Sequence, residues 1–185
     1  MSDNRHKMDD VIKTMLAQRG VAVETAENLE DPSGGRLQKI GEYLIYHSPK
    51  SRLSEDDIDG FAKDIGEKGA GRGILIVENP PSAVVLNVIR KNADKIQLFH
   101  KKQLVLDITS HRKISPHRIL SQEERTVFFQ KYRAKADLMP AIDSQDAMAK
   151  WIGARPGDVV EILRKSETAG GPPYYRICVA NTSLA

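Results

Sequence analysis

The lysines of this chain do not follow the pattern of a metal-dependent nuclease. Many such enzymes place an acidic residue two positions before a lysine on a central strand. The carboxylate holds the metal there, and the lysine steadies the attacking water. No lysine in the chain has Asp or Glu two positions before it. The sequence therefore argues against nuclease activity of this kind.

A glycine cluster could be taken for a nucleotide-binding loop; it comprises Gly66, Gly69, Gly71 and Gly73. A phosphate-binding loop follows a strand and opens a helix, so that the helix amides point at the phosphates. The order predicted here is the reverse, because the glycines follow a helix and precede a strand. The cluster is therefore interpreted as a helix stop and a turn.

The histidines and the cysteine form no recognisable catalytic or metal-binding pattern. His111 and His117 are the most closely spaced histidines, and no Cys-x-x-Cys or His-x-x-His motif accompanies them. Cys178 is the single cysteine, which excludes an intrachain disulfide and fits a reducing compartment. It lies in a β-run without a neighbouring base, which favours a buried structural thiol. We expect no catalytic residue, no metal site and no cofactor.

Two segments could still bind a partner. In the turn Asn79-Pro80-Pro81-Ser82 a strand end meets a helix N-terminus, where free amides could face an anion such as a DNA phosphate. Ser82 could equally be a simple N-cap. In the second segment, residues 155–170, a long turn carries Arg164, Lys165 and Glu167. Such charges are solvated or form the rim of a docking surface.

Helical and strand periodicities predict an α+β fold around these segments. A strand over 73–77, a helix from Ser82 to about Ala93 and a strand over 95–99 predict a βαβ unit. The runs at 158–165 and 174–179 predict a β-hairpin. Further helices are predicted over 7–18, from Ser54, from Ser121 and over 145–152, and further strands over 40–47 and 103–108.

Composition places the chain among globular proteins, and its length fits one medium domain or two small ones. The fall in apolar content around residues 109–118 favours two domains that meet near residues 107–112. The length is 185 residues, 40% of them hydrophobic, and the net charge is +3. Residues 1–105 carry no net charge, so the surplus lies in the second part, which permits contact with a phosphate backbone without predicting it. No apolar run is long enough to span a bilayer, and no secretory signal is visible, so we expect a soluble intracellular protein with no membrane partner.

Several motifs in the second half resemble one family. They are Ile114-Ser115-Pro116-His117, the capping box at Ser121, Arg155-Pro156-Gly157-Asp158-Val159-Val160, the run from Arg164 to Gly170, and Tyr175-Arg176-Ile177-Cys178. Together they resemble, over about residues 104–180, the C-terminal module of the fifth-largest subunit shared by the nuclear RNA polymerases, which archaeal polymerases also contain. The first half is more weakly similar to the jaw domain that eukaryotic members add.

This resemblance implies a restriction-endonuclease-like mixed α/β jaw over residues 1–106 and a small α+β assembly domain with a β-hairpin over 107–185. It implies a nuclear, non-catalytic polymerase subunit that acts on no small molecule. Its partners would be the largest subunit, other subunits and downstream duplex DNA. The DNA-proximal residues would be Pro81, Ser82 and Ala83. The subunit-docking residues would be His117, Arg164, Lys165, Ser166, Glu167, Thr168, Gly170, Tyr175 and Arg176.

The chain also departs from the family pattern. Gly171-Pro172-Pro173 replaces the more usual basic and aromatic residues at the hairpin tip, and the jaw is shorter and lacks a tryptophan near its start. These departures indicate a divergent member from a distant eukaryote or from a large DNA virus, whose factory or virion would then be its location. The alternative hypothesis is a free-standing DNA-binding transcription regulator.

Overall fold

A computed structural model describes residues 2–24, 26–31, 34–163 and 172–180 of the chain. The chain divides into two compact units, residues 1–107 and 108–185, called here unit 1 and unit 2. Each contains helices and a mixed sheet, so the α+β class is confirmed. None of the helices in the described part of the chain is long and apolar enough to cross a membrane.

In its described residues, unit 1 contains a five-stranded sheet and three α-helices. Along the chain its elements are α1 (Ser2–Gln18), β1 (Ala26–Leu29), β2 (Arg36–Ile40), β3 (Tyr43–His47), α2 (Glu55–Glu67), β4 (Arg72–Val77), α3 (Ala83–Lys91) and β5 (Ile96–His100). The strand order follows the chain order; β1, β2 and β3 pair antiparallel, and β3, β4 and β5 pair parallel.

The predicted βαβ unit is confirmed by the parallel pairing of β4 with β5, which aligns Gly73 with Ile96 and Val77 with His100. Every residue of β4 is buried. An apolar run of this kind is typical of a parallel strand that is covered on both faces. The helix predicted from Ser54 is also confirmed, because Ser54 and Asp57 form the reciprocal hydrogen bonds of a capping box before α2.

Two strand predictions for unit 1 are wrong. Residues 40–47 do not form one strand, because the chain turns at Gly41, where a φ of +54° suits a residue without a Cβ, and β2 and β3 form a hairpin around it. Residues 103–108 do not form a strand either. The His100 side chain accepts from the Lys102 amide while Gln103 accepts from the His100 amide, which stabilises a 3-10 helix over Lys101–Leu104.

The part of unit 2 that the structure describes contains a four-stranded sheet and two α-helices. Its elements are a 3-10 helix (Ile108–Ser110), β6 (His117–Ile119), α4 (Gln122–Tyr132), a 3-10 helix (Ala136–Leu138), β7 (Ala141–Asp143), α5 (Ala147–Ile152), β8 (Val159–Ile162) and β9 (Tyr174–Val179). The strand order is β6-β8-β9-β7, with β7 parallel to β9 and the other pairs antiparallel. The predicted pairing of the last two strands is therefore confirmed.

The sheet of unit 2 has an apolar cluster on each face. On one face Val160 and Cys178 pack with Ile142, Ala149 and Ala154; on the other, Val159 and Ile177 pack with Leu120 and Phe128. Cys178 is 1% exposed. Neighbouring residues of one strand therefore belong to different clusters, because successive side chains of a β-strand point to opposite faces of the sheet.

Gly73 allows α2 to approach β4 closely, and we expect Gly73→Ala to destabilise the protein. A Cβ at Gly73 would lie 2.6 Å from Cε1 of Phe61 and in still closer contact with Ile65. Overpacking of this kind costs about 1–3 kcal/mol. The measurement is the free energy of unfolding in urea, followed by circular dichroism.

The matched control is Gly60→Ala, within α2, where an added Cβ has no atom within 4 Å. We expect this variant to gain about 0.5–1 kcal/mol, because alanine is the better helix former. A Gly73→Ala variant as stable as the unmodified protein would show that the two elements do not pack this tightly.

Candidate docking and nucleic-acid surfaces

The predicted DNA-proximal residues lie between β4 and α3. Ser82 is the N-cap of α3, and its Oγ accepts a hydrogen bond from the Val85 amide at 3.4 Å. The N-cap interpretation of Ser82 is thus confirmed. Ser82 and Ala83 are exposed and Pro81 is half-buried. The loop therefore presents polar backbone and small side chains to solvent.

A cleft of about 440 Å³ lies between this loop and residues 50–53. Asn79 connects its two sides, because its Nδ2 donates to the Ser51 carbonyl at 3.2 Å. Lys50 and Arg52 contribute the positive charge of the cleft. Lys50 also pairs with Asp57 at 2.5 Å, and the hydrogen bond to that carboxylate raises the pKa of Lys50. Its charge is therefore partly neutralised.

The predicted subunit-docking residues that the structure describes lie on both faces of the unit 2 sheet. His117 lies on the edge strand β6, and its Nδ1 is 2.7 Å from the Ser115 carbonyl oxygen. Arg176 donates to the Ala141 carbonyl at 2.9 Å. In the strand register His117 and Arg176 lie on one face and Tyr175 on the other. The remaining predicted residues, from Arg164 to Gly170, lie outside the described residues.

A network of ion pairs and hydrogen bonds centred on Glu161 was not predicted from the sequence. This carboxylate accepts from Arg118 Nε at 2.5 Å and from the Tyr175 hydroxyl at 2.9 Å. Arg118 also donates through Nη1 to both carboxylate oxygens of Glu124 at 2.8 Å. Glu124 in turn caps α4 at Ser121. One chain of contacts therefore joins β6, β8, β9 and the start of α4.

A signal for this network was present in the strand sequence Val-Val-Glu-Ile, where one carboxylate interrupts an apolar run. Glu161 is 8% exposed, and a buried carboxylate needs partners. The partners follow only from the register, which aligns Arg118, Glu161 and Tyr175 across three strands. Burial first and then the hydrogen bond to Glu161 raise the pKa of Tyr175 to about 12.

Tyr175 also belongs to a surface feature that we call the aromatic groove. It has a volume of about 420 Å³ and is lined by Phe128, Arg133, Ala134, Lys135, Leu138, Met139, Pro140, Pro173, Tyr174 and Tyr175. The ring centroids of Phe128 and Tyr175 are 4.6 Å apart, and Tyr132 packs beside both rings. Leu138 is 81% exposed. Their assembly into one groove could not be predicted from the sequence, because the residues come from separate segments of the chain.

Arg133, on the rim of the groove, has an unusual backbone. It is the C-cap of α4 and adopts the left-handed conformation with φ +47°, the one non-glycine residue with positive φ in the described ranges. Glycine is the usual residue where a helix ends in this way. A side chain there costs roughly 1–2 kcal/mol.

Within the described ranges no three His, Cys, Asp or Glu residues are placed to hold a metal ion. Lys150 is 4% exposed on α5, and burial lowers its pKa to about 8, against the opposing effect of Asp146 and Asp143.

Comparison with known proteins gives a direct result for unit 2. The family described as "RNA polymerase Rpb5, C-terminal domain" matches residues 106–178. The "DNA-directed RNA polymerase subunit Rpo5" of Thermococcus onnurineus is 48% identical over 73 residues, which cover 40% of this chain and 89% of the relative. The chain belongs to this family of RNA polymerase subunits. The resemblance stated from the sequence motifs is confirmed.

Eukaryotic members of the family align over more of the chain. The "DNA-directed RNA polymerases I, II, and III subunit RPABC1" of Caenorhabditis elegans is 28% identical over 138 residues, which cover 74% of this chain but only 65% of the relative. The corresponding Dictyostelium discoideum subunit is 29% identical over 139 residues, covering 73% of this chain and 71% of its own. Because unit 2 has only 78 residues, these alignments extend into unit 1.

Tyr175→Phe should alter how stability depends on pH. The pKa of Tyr175 is raised from 10 to about 12 in the folded state, so folding favours the protonated phenol. Its contribution is complete below pH 10 and is lost as the pH rises through 12. We expect the unmodified protein to lose more free energy of unfolding across this interval than Tyr175→Phe does. The variant should also be less stable at neutral pH, by about 0.5–1.5 kcal/mol, because Glu161 loses a donor.

The measurement is urea unfolding at a series of alkaline pH values. Tyr132→Phe is the matched control, because Tyr132 is 55% exposed and packs against the same rings. Its profile should follow that of the unmodified protein. Identical alkaline profiles for Tyr175→Phe and the unmodified protein would contradict the coupling of Tyr175 to Glu161.

Proposed function

We propose that the chain is a non-catalytic subunit of a DNA-directed RNA polymerase, assembling onto the largest subunit and bracing downstream DNA during transcription. The observation that carries this proposal is the family match over residues 106–178. The matched relatives are named subunits of DNA-directed RNA polymerases. The non-catalytic role is supported by a sequence without a recognisable nuclease, nucleotide-binding or nucleophile motif.

In this proposal residues 107–185 form the assembly domain, and the proposed contacts include His117, Tyr175, Arg176 and the charged run from Arg164 to Gly170. The unit 2 sheet supports this role, because β6 and β7 are its edge strands and carry main-chain groups that can pair with another chain. The network around Glu161 supports the same sheet from within. It holds the base of the hairpin rigid, which favours a defined docking geometry.

In this proposal residues 1–106 form a restriction-endonuclease-like jaw beside the DNA. The mixed sheet with parallel β3, β4 and β5 is compatible with such a fold. Pro81, Ser82 and Ala83 would face a DNA phosphate, supported by the amides at the start of α3 and by the basic side chains of the neighbouring cleft. A domain without net charge has little affinity of its own, so assembly would hold it against DNA.

The eukaryotic relatives favour a nuclear location for the polymerase in which this chain would function. A virus-encoded member would function in a viral factory or virion. No observation favours the free-standing DNA-binding regulator over the subunit. That alternative requires the chain by itself to bind duplex DNA tightly, with an affinity that falls steeply as salt rises.

Mild-salt affinity purification of the tagged chain from its native cells should recover two very large polymerase subunits in equal amounts with it. The double variant Arg164→Ala, Glu167→Ala should recover less of the largest subunit. Loss of charged contacts buried in an interface costs about 2–5 kcal/mol. Quantitative mass spectrometry of the copurified chains measures both results.

The charge-matched control is Arg112→Ala, Glu123→Ala, which also removes one basic and one acidic exposed side chain from unit 2. It should behave as the unmodified chain. Recovery of the chain alone, or only with DNA, would overturn the subunit assignment and support the regulator. Full recovery with the first variant would instead exclude only the charged run as a docking contact.

Ser82→Asp separates the capping role of Ser82 from a contact with DNA. Aspartate caps a helix as well as serine, so the free energy of unfolding should change by only a few tenths of a kcal/mol. If Ser82 faces a phosphate, the added negative charge should weaken binding of downstream duplex DNA by the assembled polymerase. The effect should be largest at low salt, because salt screens such repulsion.

Filter binding of a downstream duplex to polymerase containing the variant subunit measures this effect. Ser82→Asn is the control, since asparagine caps equally well without a charge. Equal DNA affinity of the Asp and Asn variants across the salt range would show that Ser82 is an N-cap and nothing more.

A further inference from the structure

We propose that the aromatic groove of unit 2 binds an acidic segment of another polypeptide through at least one large apolar side chain. This inference goes beyond the proposed function. Of the residues that line the groove, only Tyr175 is among the residues proposed above to dock onto the largest subunit. The inference specifies the chemistry of the bound segment, and it holds whether or not the chain is part of a polymerase.

Apolar surface is exposed around this concave site. Leu138 is 81% exposed and Tyr132 is 55% exposed at this end of unit 2. Exposed large apolar side chains that border a concavity mark binding sites more often than solitary ones do. The volume of about 420 Å³ suits a few side chains of a short segment.

The walls of the groove are held in place by ring packing, a hydrogen bond and two prolines. Phe128 is buried beneath Tyr175, with ring centroids 4.6 Å apart, and Tyr175 is held by its hydrogen bond to Glu161. Pro140 and Pro173 contribute walls with little backbone freedom. A partner would thus bind a preformed surface and lose less entropy of ordering.

The charges around the groove favour an acidic partner. Arg133 and Lys135 line the groove, and the Nζ of Lys131 lies 5.3 Å from the ring centroid of Tyr132, which packs against Phe128 and Tyr175. Asp137 is the single acidic residue in the segment 131–139. An apolar groove with a basic rim favours aspartate and glutamate beside the apolar anchor of the bound chain.

The backbone of Arg133 also indicates a function for its side chain. Its left-handed conformation, with φ +47°, is one that glycine adopts without strain at the end of a helix. A strained residue at a surface site is grounds for inferring that its side chain has a function. Arg133 lines the groove, so its proposed function is to attract an acidic side chain of the bound segment.

Selection from a phage library of random 12-residue peptides on the immobilised full-length chain tests this proposal. We expect enriched peptides to combine Asp or Glu with Trp, Phe or Leu. Binding of the best peptide, labelled with fluorescein, would then be measured by fluorescence anisotropy. Leu138→Glu should weaken it by about tenfold or more, because the anchor site becomes charged.

Arg133→Gly tests the contribution of charge more directly. It removes the positive charge beside the groove and should leave the stability of the fold unchanged or raise it, because glycine suits the left-handed conformation. It should weaken peptide binding by about three- to tenfold, and the loss should shrink as salt rises. The matched controls are Val127→Glu, at an exposed apolar position on α4 outside the groove lining, and Arg112→Ala. Both should bind the peptide as the unmodified chain does.

Several results would overturn the proposal. One is an absence of enriched peptides, and another is enrichment of basic or non-aromatic peptides. Equal binding by Leu138→Glu would also overturn it. So would tighter binding of single-stranded oligothymidine, dimerisation of the chain that depends on Leu138, or peptide binding that appears only after residues 181–185 are removed. Those last three results would identify a nucleic acid, a second copy or the chain's own end as the occupant.

Discussion

Burial of the Glu161 carboxylate is the constraint on which the arrangement of unit 2 depends. At 8% exposure this group must be paired, and its two oxygens accept from Arg118 on β6 and Tyr175 on β9. Arg118 then reaches Glu124, so the same charge is linked to the cap of α4. Removing Arg118 would leave the buried Glu161 carboxylate without its cationic partner, which is costly. These contacts are formed only in the observed register, so they favour it over a shifted one.

Unit 1 also places charged side chains against its sheet. Here two arginines contact the neutral side chains of a tyrosine and a glutamine, whereas in unit 2 a carboxylate pairs with an arginine. Arg72 is 4% exposed and donates to the Tyr43 hydroxyl at 3.1 Å, while Arg19 donates to Gln97 at 2.9 Å. Both guanidinium groups lie over the Tyr43 ring, and burial lowers the pKa of Arg19 to about 10. These contacts join the end of α1 to β3, β4 and β5. Such directional contacts specify how α1 sits on the sheet more closely than apolar contacts do.

The surfaces proposed for binding lie at the ends of these rigid elements. The Pro81–Ala83 loop follows a strand that is buried throughout, and the aromatic groove lies over Phe128 and the outer end of the Glu161 network. Both features are loops or helix ends supported by a sheet, which is how proteins commonly hold recognition residues in place. The family relationship covers both units to different degrees: the archaeal relative aligns over 73 residues, whereas eukaryotic relatives align over about 138.

Local signals in the sequence determined the capping boxes at Ser54 and Ser121, the βαβ unit and the final hairpin, because each depends on neighbouring residues or on a simple periodicity. The family motifs could also be recognised from the sequence, because each is a contiguous run of residues. The turn at Gly41 and the 3-10 helix after His100 were missed although their causes are local: a positive φ and hydrogen bonds between neighbouring residues override strand propensity there. Other contacts were decided by the tertiary structure. It alone brought Arg118 to Glu161, 43 positions away, and Phe128 to Tyr175. Contacts at such separations depend on strand register and helix packing, and no local pattern records them.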